Sequence, residues 1–185
     1  MAGGARGDEL YATEDAGVSW TRVSVSTPMA FKFGSRNYDV PTFFDDKKGV
    51  LPVTFSGSAH NSGFAFYSTE DGGQTWTIPG PVIPSVDPIN AGVRHFAEAV
   101  SPNVWIEVPP AGHKVAVFTN QGEALQQKRS DGLPSGVVLL DFATPNKGWA
   151  ISAIENCPGK TDCVFESSLH ESFDQGQSWV RLRPP

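Results

Sequence analysis

The sequence predicts an all-β chain of short strands, arranged in repeated groups of four. Three observations predict it: a composition of turn formers and aromatics, a motif that recurs three times, and a hairpin-like pattern that recurs out of phase with it. The 185 residues include 19 Gly, 15 Pro, 12 Phe and 5 Trp. Gly and Pro stop helices and make turns, while aromatic and β-branched side chains fill pleated surfaces. Many short strands joined by many turns follow.

The recurring motif is [Ser/Thr]-x-Asp-x-Gly-x-[Ser/Thr]-Trp. It occurs with Thr13, Asp15, Gly17 and Trp20, with Thr69, Asp71, Gly73 and Trp76, and with Ser172, Asp174, Gly176 and Trp179. Asp15 and Asp71 are 56 residues apart, Asp71 and Asp174 are 103 apart. The doubled gap predicts a worn copy near residue 120, and Phe118-Thr-Asn-Gln-Gly122 fits one. Turn chemistry explains the motif. Asp accepts hydrogen bonds from turn amides, Gly takes a left-handed conformation, and Ser or Thr bonds back to the same turn. Trp then returns to the hydrophobic layer.

The second pattern is an apolar strand, a turn rich in Asp, Asn, Pro, Lys or Gly, and another apolar strand. Phe43-Phe44 through Gly49-Val50 and Leu140-Asp141-Phe142 through Gly148-Trp149 carry it. Ala99-Val100 to Val104-Trp105 is a looser copy.

The first motif resembles the Asp box, or BNR repeat, of sialidases, sortilin-type receptors, xyloglucanase-like hydrolases and photosystem II assembly propellers. The segment from Phe142 to Trp149 is most similar to the last group. The resemblance implies a β-propeller of four-stranded antiparallel blades, with the Asp box on the turn between third and fourth strands, away from the binding or catalytic face. It says little about substrate.

On this layout a half blade spans 9–25, and blades span 39–79, 94–127 (degenerate) and 137–183, about three and a half in one partial propeller. Propellers close with four to eight blades. Two expectations stay open: the chain is a fragment of a longer propeller, or two copies combine into one ring.

Loops opposite the motif turns are the expected binding surface, since a rigid scaffold commonly carries recognition on its loops. They span 26–38, 56–62, 78–95, 107–113, 128–136 and 155–163. Arg36, Tyr38, Asp39, His60, Asn61, Arg94, His95 and Glu98 gather there as candidates for holding a sugar, a peptide or a carboxylate, with ordinary solvated loop residues as the plain alternative.

Sialidase chemistry needs an arginine triad and an early Arg-Ile-Pro motif, which the sequence lacks. A xyloglucanase-like hydrolase needs paired carboxylates. Asp39, Glu98 and Asp141 are possible inputs, but their spacing marks no pair. His60, His95, His113 and His170 are scattered, and the Asp71 loop lacks the later oxygen ligands of a calcium site, so no metal and no cofactor is expected. With 14 basic and 20 acidic residues, net charge −6 and no basic run, nucleic acid and anionic membranes are not expected partners. No apolar run approaches the ~20 residues of a membrane span.

Cys157 and Cys163 are expected to form a short-range disulfide, with two free thiols as the other reading. A bridge implies an oxidising compartment, extracellular or periplasmic. The expected function is a non-catalytic scaffold for a protein or carbohydrate ligand. The alternative is a fragment of a sialidase-like or xyloglucanase-like glycoside hydrolase.

Overall fold

The computed structural model describes residues 9–32, 34–56, 62–84, 96–108, 115–121, 124–133, 136–156 and 163–183. The chain divides into two compact units, Met1–Val93 with Gly122–Leu125, and Arg94–Gln121 with Gln126–Pro185.

In the first unit, β1 (Leu10–Ala12) and β2 (Thr21–Val23) form a two-stranded antiparallel sheet. A 3-10 turn over Met29–Phe31 follows. The next sheet contains β3 (Ser35–Tyr38), β4 (Thr42–Phe43), β5 (Gly49–Ser56), β6 (Ser62–Thr69) and β7 (Ile83–Pro84). Its order is β3-β5-β6-β7, with β4 also paired to β5. β3 and β4 are one strand broken in two. Tyr38 faces Val53 and Thr42 faces Val50, so residues 39–41 stand opposite 51–52. Pro52 has no N–H to donate at that point. Its carbonyl instead accepts from the Asp39 amide at 3.0 Å.

Two expected loops are therefore partly strand. Arg36 and Tyr38 lie in β3, because residues 35–38 have free partners in Ser56–Val53. Ile83–Pro84 pairs with Gly63 and Phe64. The strand expected at Thr75–Ile78 shrinks to one bridge between Thr77 and Ser68 before β7 resumes the edge. The core alternates along the strands: Leu51, Val53 and Phe55 on β5, Ala65 and Tyr67 on β6. Trp76, Phe31 and Val25 close it, and Leu10 and Val23 pack against it from the small sheet. The Tyr67 hydroxyl, buried and pushed up to about 12 by that burial, donates to the Ser26 carbonyl.

The second unit has two four-stranded sheets. One contains β8 (Phe96–Ser101), β9 (Val104–Val108), β10 (Ala116–Gln121) and β11 (Ala124–Arg129), consecutive neighbours paired. The other contains β12 (Val137–Thr144), β13 (Lys147–Asn156), β14 (Val164–Ser172) and β15 (Val180–Arg181), likewise in order. Val100, Ile106, Val108 and Val117 of the first meet Leu140, Ala150 and Trp179 of the second in a single core. β10 and β11 flank the worn motif, whose Gly122 lies outside the described residues.

Within each sheet neighbouring strands are close in sequence, with β3 and β4 sharing β5 as their partner, and the sheets follow one another along the chain. The fold is all-β, a partial β-propeller of four-stranded blades with a two-stranded half blade ahead of them.

Candidate functional site

The three motif turns are built alike. In each, the first Ser or Thr hydroxyl donates to the Asp and accepts from the Gly amide. For Thr13 these distances are 2.8 and 2.8 Å, for Thr69 2.7 and 2.9 Å, and for Ser172 3.0 and 3.0 Å. Asp Oδ1 accepts the amide of the second Ser or Thr, and Oδ2 accepts its hydroxyl. The amide distances are 2.8, 2.9 and 2.8 Å at Ser19, Thr75 and Ser178, and the hydroxyl distances 2.6, 2.5 and 2.6 Å. These donors favour the charged carboxylate. Bonds from the Ser19 and Thr75 hydroxyls, then their amides, lower Asp15 and Asp71 to about 2. Burial pushes Asp174 up, but the bonds from Ser178 and Ser172 outweigh it and its pKa is lowered.

Two successive residues have positive φ in every turn: Ala16 and Gly17, Gly72 and Gly73, Gln175 and Gly176. The sequence motif flags only the second. Ala16 at 57° and Gln175 at 61° carry a Cβ in a region that disfavours it.

The two sequence patterns meet in space. The Phe43 ring stands over its paired residue Gly49, where a Cβ would come within 2.9 Å of it. The same ring meets Trp76 edge-on at 6.0 Å. The Lys47 carbonyl accepts from the Gly72 amide at 2.9 Å, tying the hairpin turn to the motif turn. In the last blade Phe142 stands over Gly148, where a Cβ would come within 2.5 Å, and meets Trp179 at 5.8 Å.

Trp76 and Trp179 are buried, but Trp20 is 59% exposed, against the expectation that every motif Trp enters the core. The reason is physical: no hairpin Phe stands over its turn among the described residues. A Cβ on Gly17 would meet only Trp20, whereas one on Gly73 or Gly176 would meet a hairpin Phe ring.

The candidate ligand face is partly visible. Arg36 donates to the Val25 carbonyl at 3.2 Å and to the Thr27 hydroxyl, and its guanidinium lies 5.6 Å from the Tyr38 ring centroid. It fastens the 25–27 segment to β3. Asp39 sits at the break between β3 and β4, and Glu98 is half-buried on β8 opposite Ile106. Asp39 belongs to the first unit, Glu98 and Asp141 to the second. His60, Asn61, Arg94, His95, His113 and Cys157 lie outside the described residues. Cys163 is disulfide-bonded.

One polar cluster was missed in the sequence. Ser152 Oγ lies 2.7 Å from Ser168 Oγ, which lies 3.2 Å from His170 Nε2. Ser152 and His170 are buried, and His170 Nδ1 has no partner among the described residues. Burial, then the neighbouring Arg181, lowers the His170 pKa. A groove of about 430 Å³ beside the cluster is lined by Leu133, Ile154, Glu166 and Arg181. The sequence offered no clean signal: residues 166, 168, 170 and 172 of β14 share one face and are all polar, but Ser167 and Glu171 on the other face are polar too.

The blades and their turns define the class, a β-propeller. No protein-family model matches the chain, and no curated protein matches it in sequence. Among solved structures it is similar to a GH74 xyloglucanase from Xanthomonas campestris, with TM-score 0.53 and 19% identity over 96% of this chain and 27% of that one. It is also similar to YCF48 bound to D1 peptide, with TM-score 0.47 and 12% identity over 94% of this chain and 60% of that one. The chain thus spans less than two thirds of either structure's length.

Proposed function

We propose that this chain is a non-catalytic segment of an Asp-box propeller, a scaffold that holds a protein or carbohydrate ligand on the loops opposite the motif turns. One observation carries the reading: the polar residues that define the recurring motif, its Asp and its two Ser or Thr, are spent on the fold. Each motif Asp accepts from a hydroxyl and an amide of its own turn and from a second hydroxyl, which orders backbone and leaves chemistry to residues that do not recur. The proposed ligand contacts are Arg36, Tyr38, Asp39 and His60 in the first unit and Arg94, His95 and Glu98 in the second, each set taken by itself. Further blades or a second copy complete the ring, and the bonded Cys163 supports an exported location.

The test is a panel of sialosides, β-glucan oligosaccharides and unstructured peptides, assayed for both binding and turnover. The scaffold reading expects saturable binding without turnover, weakened by Arg36→Ala. Turnover abolished by Asp39→Asn or Glu98→Gln would establish a glycoside hydrolase instead. The xyloglucanase likeness supplies a fold for that outcome and no substrate.

A further inference from the structure

The Ser152–Ser168–His170 chain lies where the fold does not ask for polar groups. In register, β13 sets Ala150, Ser152 and Ile154 beside His170, Ser168 and Glu166 of β14, and β15 sets Arg181 beside His170. Strand alternation puts them all on one face. The motif turn uses none of Ser152, Ser168 or His170. Both Ser152 and His170 are buried, and His170 Nδ1 has no partner among the described residues. Burying these groups costs stability that apolar side chains would not cost. A cost with no structural return points to function.

The groove of about 430 Å³ over this face has the size of a small-ligand site. It holds two opposite charges, the Glu166 carboxylate and the Arg181 guanidinium, and neither has an ion-pair or hydrogen-bond partner among the described residues. Ser168 lies between them. A hydroxyl has one donor and two acceptor sites. Its bonds to Ser152 and His170 use the donor and one acceptor, so one acceptor remains for a ligand N–H. Leu133 and Ile154 supply aliphatic walls.

The spacing selects the ligand. Glu166 and His170 are four residues apart on β14, about 13 Å at the rise of a strand, and Arg181 stands one strand further across. Side chains standing off the sheet then hold the two charges roughly 14 Å apart. An extended dipeptide separates its ammonium and carboxylate by about 7 Å. A charged hydrogen bond of about 2.8 Å at each end extends its reach to about 13 Å. A single amino acid falls about 3 Å shorter. We propose that this groove binds a free dipeptide, with its ammonium on Glu166, its carboxylate on Arg181, a backbone N–H on Ser168 and an aliphatic side chain against Leu133 and Ile154. These residues all belong to the second unit, and none is among the ligand contacts proposed above.

The probe is alanyl-leucine, titrated into the full chain near neutral pH and followed by backbone amide chemical shifts. The expected result is saturable shifts centred on Ser168 and His170, with Kd at or below about 1 mM. N-acetylation or C-amidation of the dipeptide should each weaken binding about tenfold. Glu166 and Arg181 are exposed, so their substitution leaves the fold intact. Glu166→Gln should abolish the effect of acetylation and keep that of amidation, and Arg181→Gln should do the reverse. The proposal is overturned by shifts that are absent at about 10 mM or lie elsewhere, by capped dipeptides that bind equally well, or by variants whose losses ignore which end is capped. Leucine alone binding as tightly as alanyl-leucine also overturns it.

Discussion

Phe43 and Trp76 meet edge-on with ring centroids 6.0 Å apart and planes at 68°. They come from different hairpins, 33 residues apart in sequence. The contact joins the two recurring patterns into one structural device, with Gly49 under the Phe ring. Phe142 and Trp179 repeat it at 5.8 Å and 72°.

The device makes Gly148 intolerant of any side chain. A Cβ there would lie 2.5 Å from the Phe142 ring, so Gly148→Ala is expected to destabilise by about 1–3 kcal/mol in chemical denaturation. With Phe142→Ala already present, the added cost of Gly148→Ala should fall toward zero, since the obstructing ring is gone. Additive costs in that double-mutant cycle would contradict the contact.

Burial ranks the three motif tryptophans. Trp76→Ala and Trp179→Ala are each expected to cost about 3–5 kcal/mol. Trp20→Ala should cost well under about 1 kcal/mol, because its ring is already largely in water. Equal losses at all three positions would refute the asymmetry.

The first Ser or Thr of each turn offers the same contrast at constant geometry. Thr69→Val keeps the shape of a buried side chain but removes the acceptor of the Gly73 amide and the donor to Asp71. Leaving that buried amide unpaired should cost about 1–3 kcal/mol. Thr13→Val breaks the same bonds where water can replace them, and the loss should be smaller.

Ala16 and Gln175 occupy positions where Gly72 stands in the middle turn. Ala16→Gly and Gln175→Gly are each expected to raise stability by up to about 1 kcal/mol, relief of left-handed strain offsetting the added freedom of the unfolded chain. A fall in melting temperature for both would contradict the conformation.

Buried His170 sets an acid limit. Its folded pKa is lowered, by burial first and then by Arg181, so below 6.5 the unfolded chain binds a proton that the folded one resists. Stability is complete above 6.5 and declines as pH falls below it, until the folded pKa is passed. His170→Gln should flatten that decline in melts taken between pH 7 and 5.

Much of this fold was legible in the sequence because the motif residues act within a few positions of one another. Thr69, Asp71, Gly73 and Thr75 bond to one another within their own turn. What escaped depends on partners distant in sequence. Strand pairing drew residues 35–38 out of an expected loop, and the missing donor of Pro52 split that strand at 39–41. Trp20 reads like Trp76 in its own motif, and only the hairpin that should cover it tells them apart. His170 looked isolated because Ser152, eighteen positions away, reaches it only through Ser168. The candidate ligand face was legible only as a set of loops, since Arg36 is engaged by Val25 and Thr27 through pairing that no local pattern encodes.

The central claim is that Asp15, Asp71 and Asp174 hold equivalent turns as charged acceptors. Carbon-13 NMR of the side-chain carboxyls against pH tests it most directly. The account predicts midpoints near 2 for Asp15 and Asp71 and a lowered midpoint for Asp174, with the amide protons of Ser19, Thr75 and Ser178 moving in step. Stability from these carboxylates is then complete above 3.8 and lost as pH falls through about 2. Midpoints at the ordinary 3.8, or amides that ignore the titration, would contradict it.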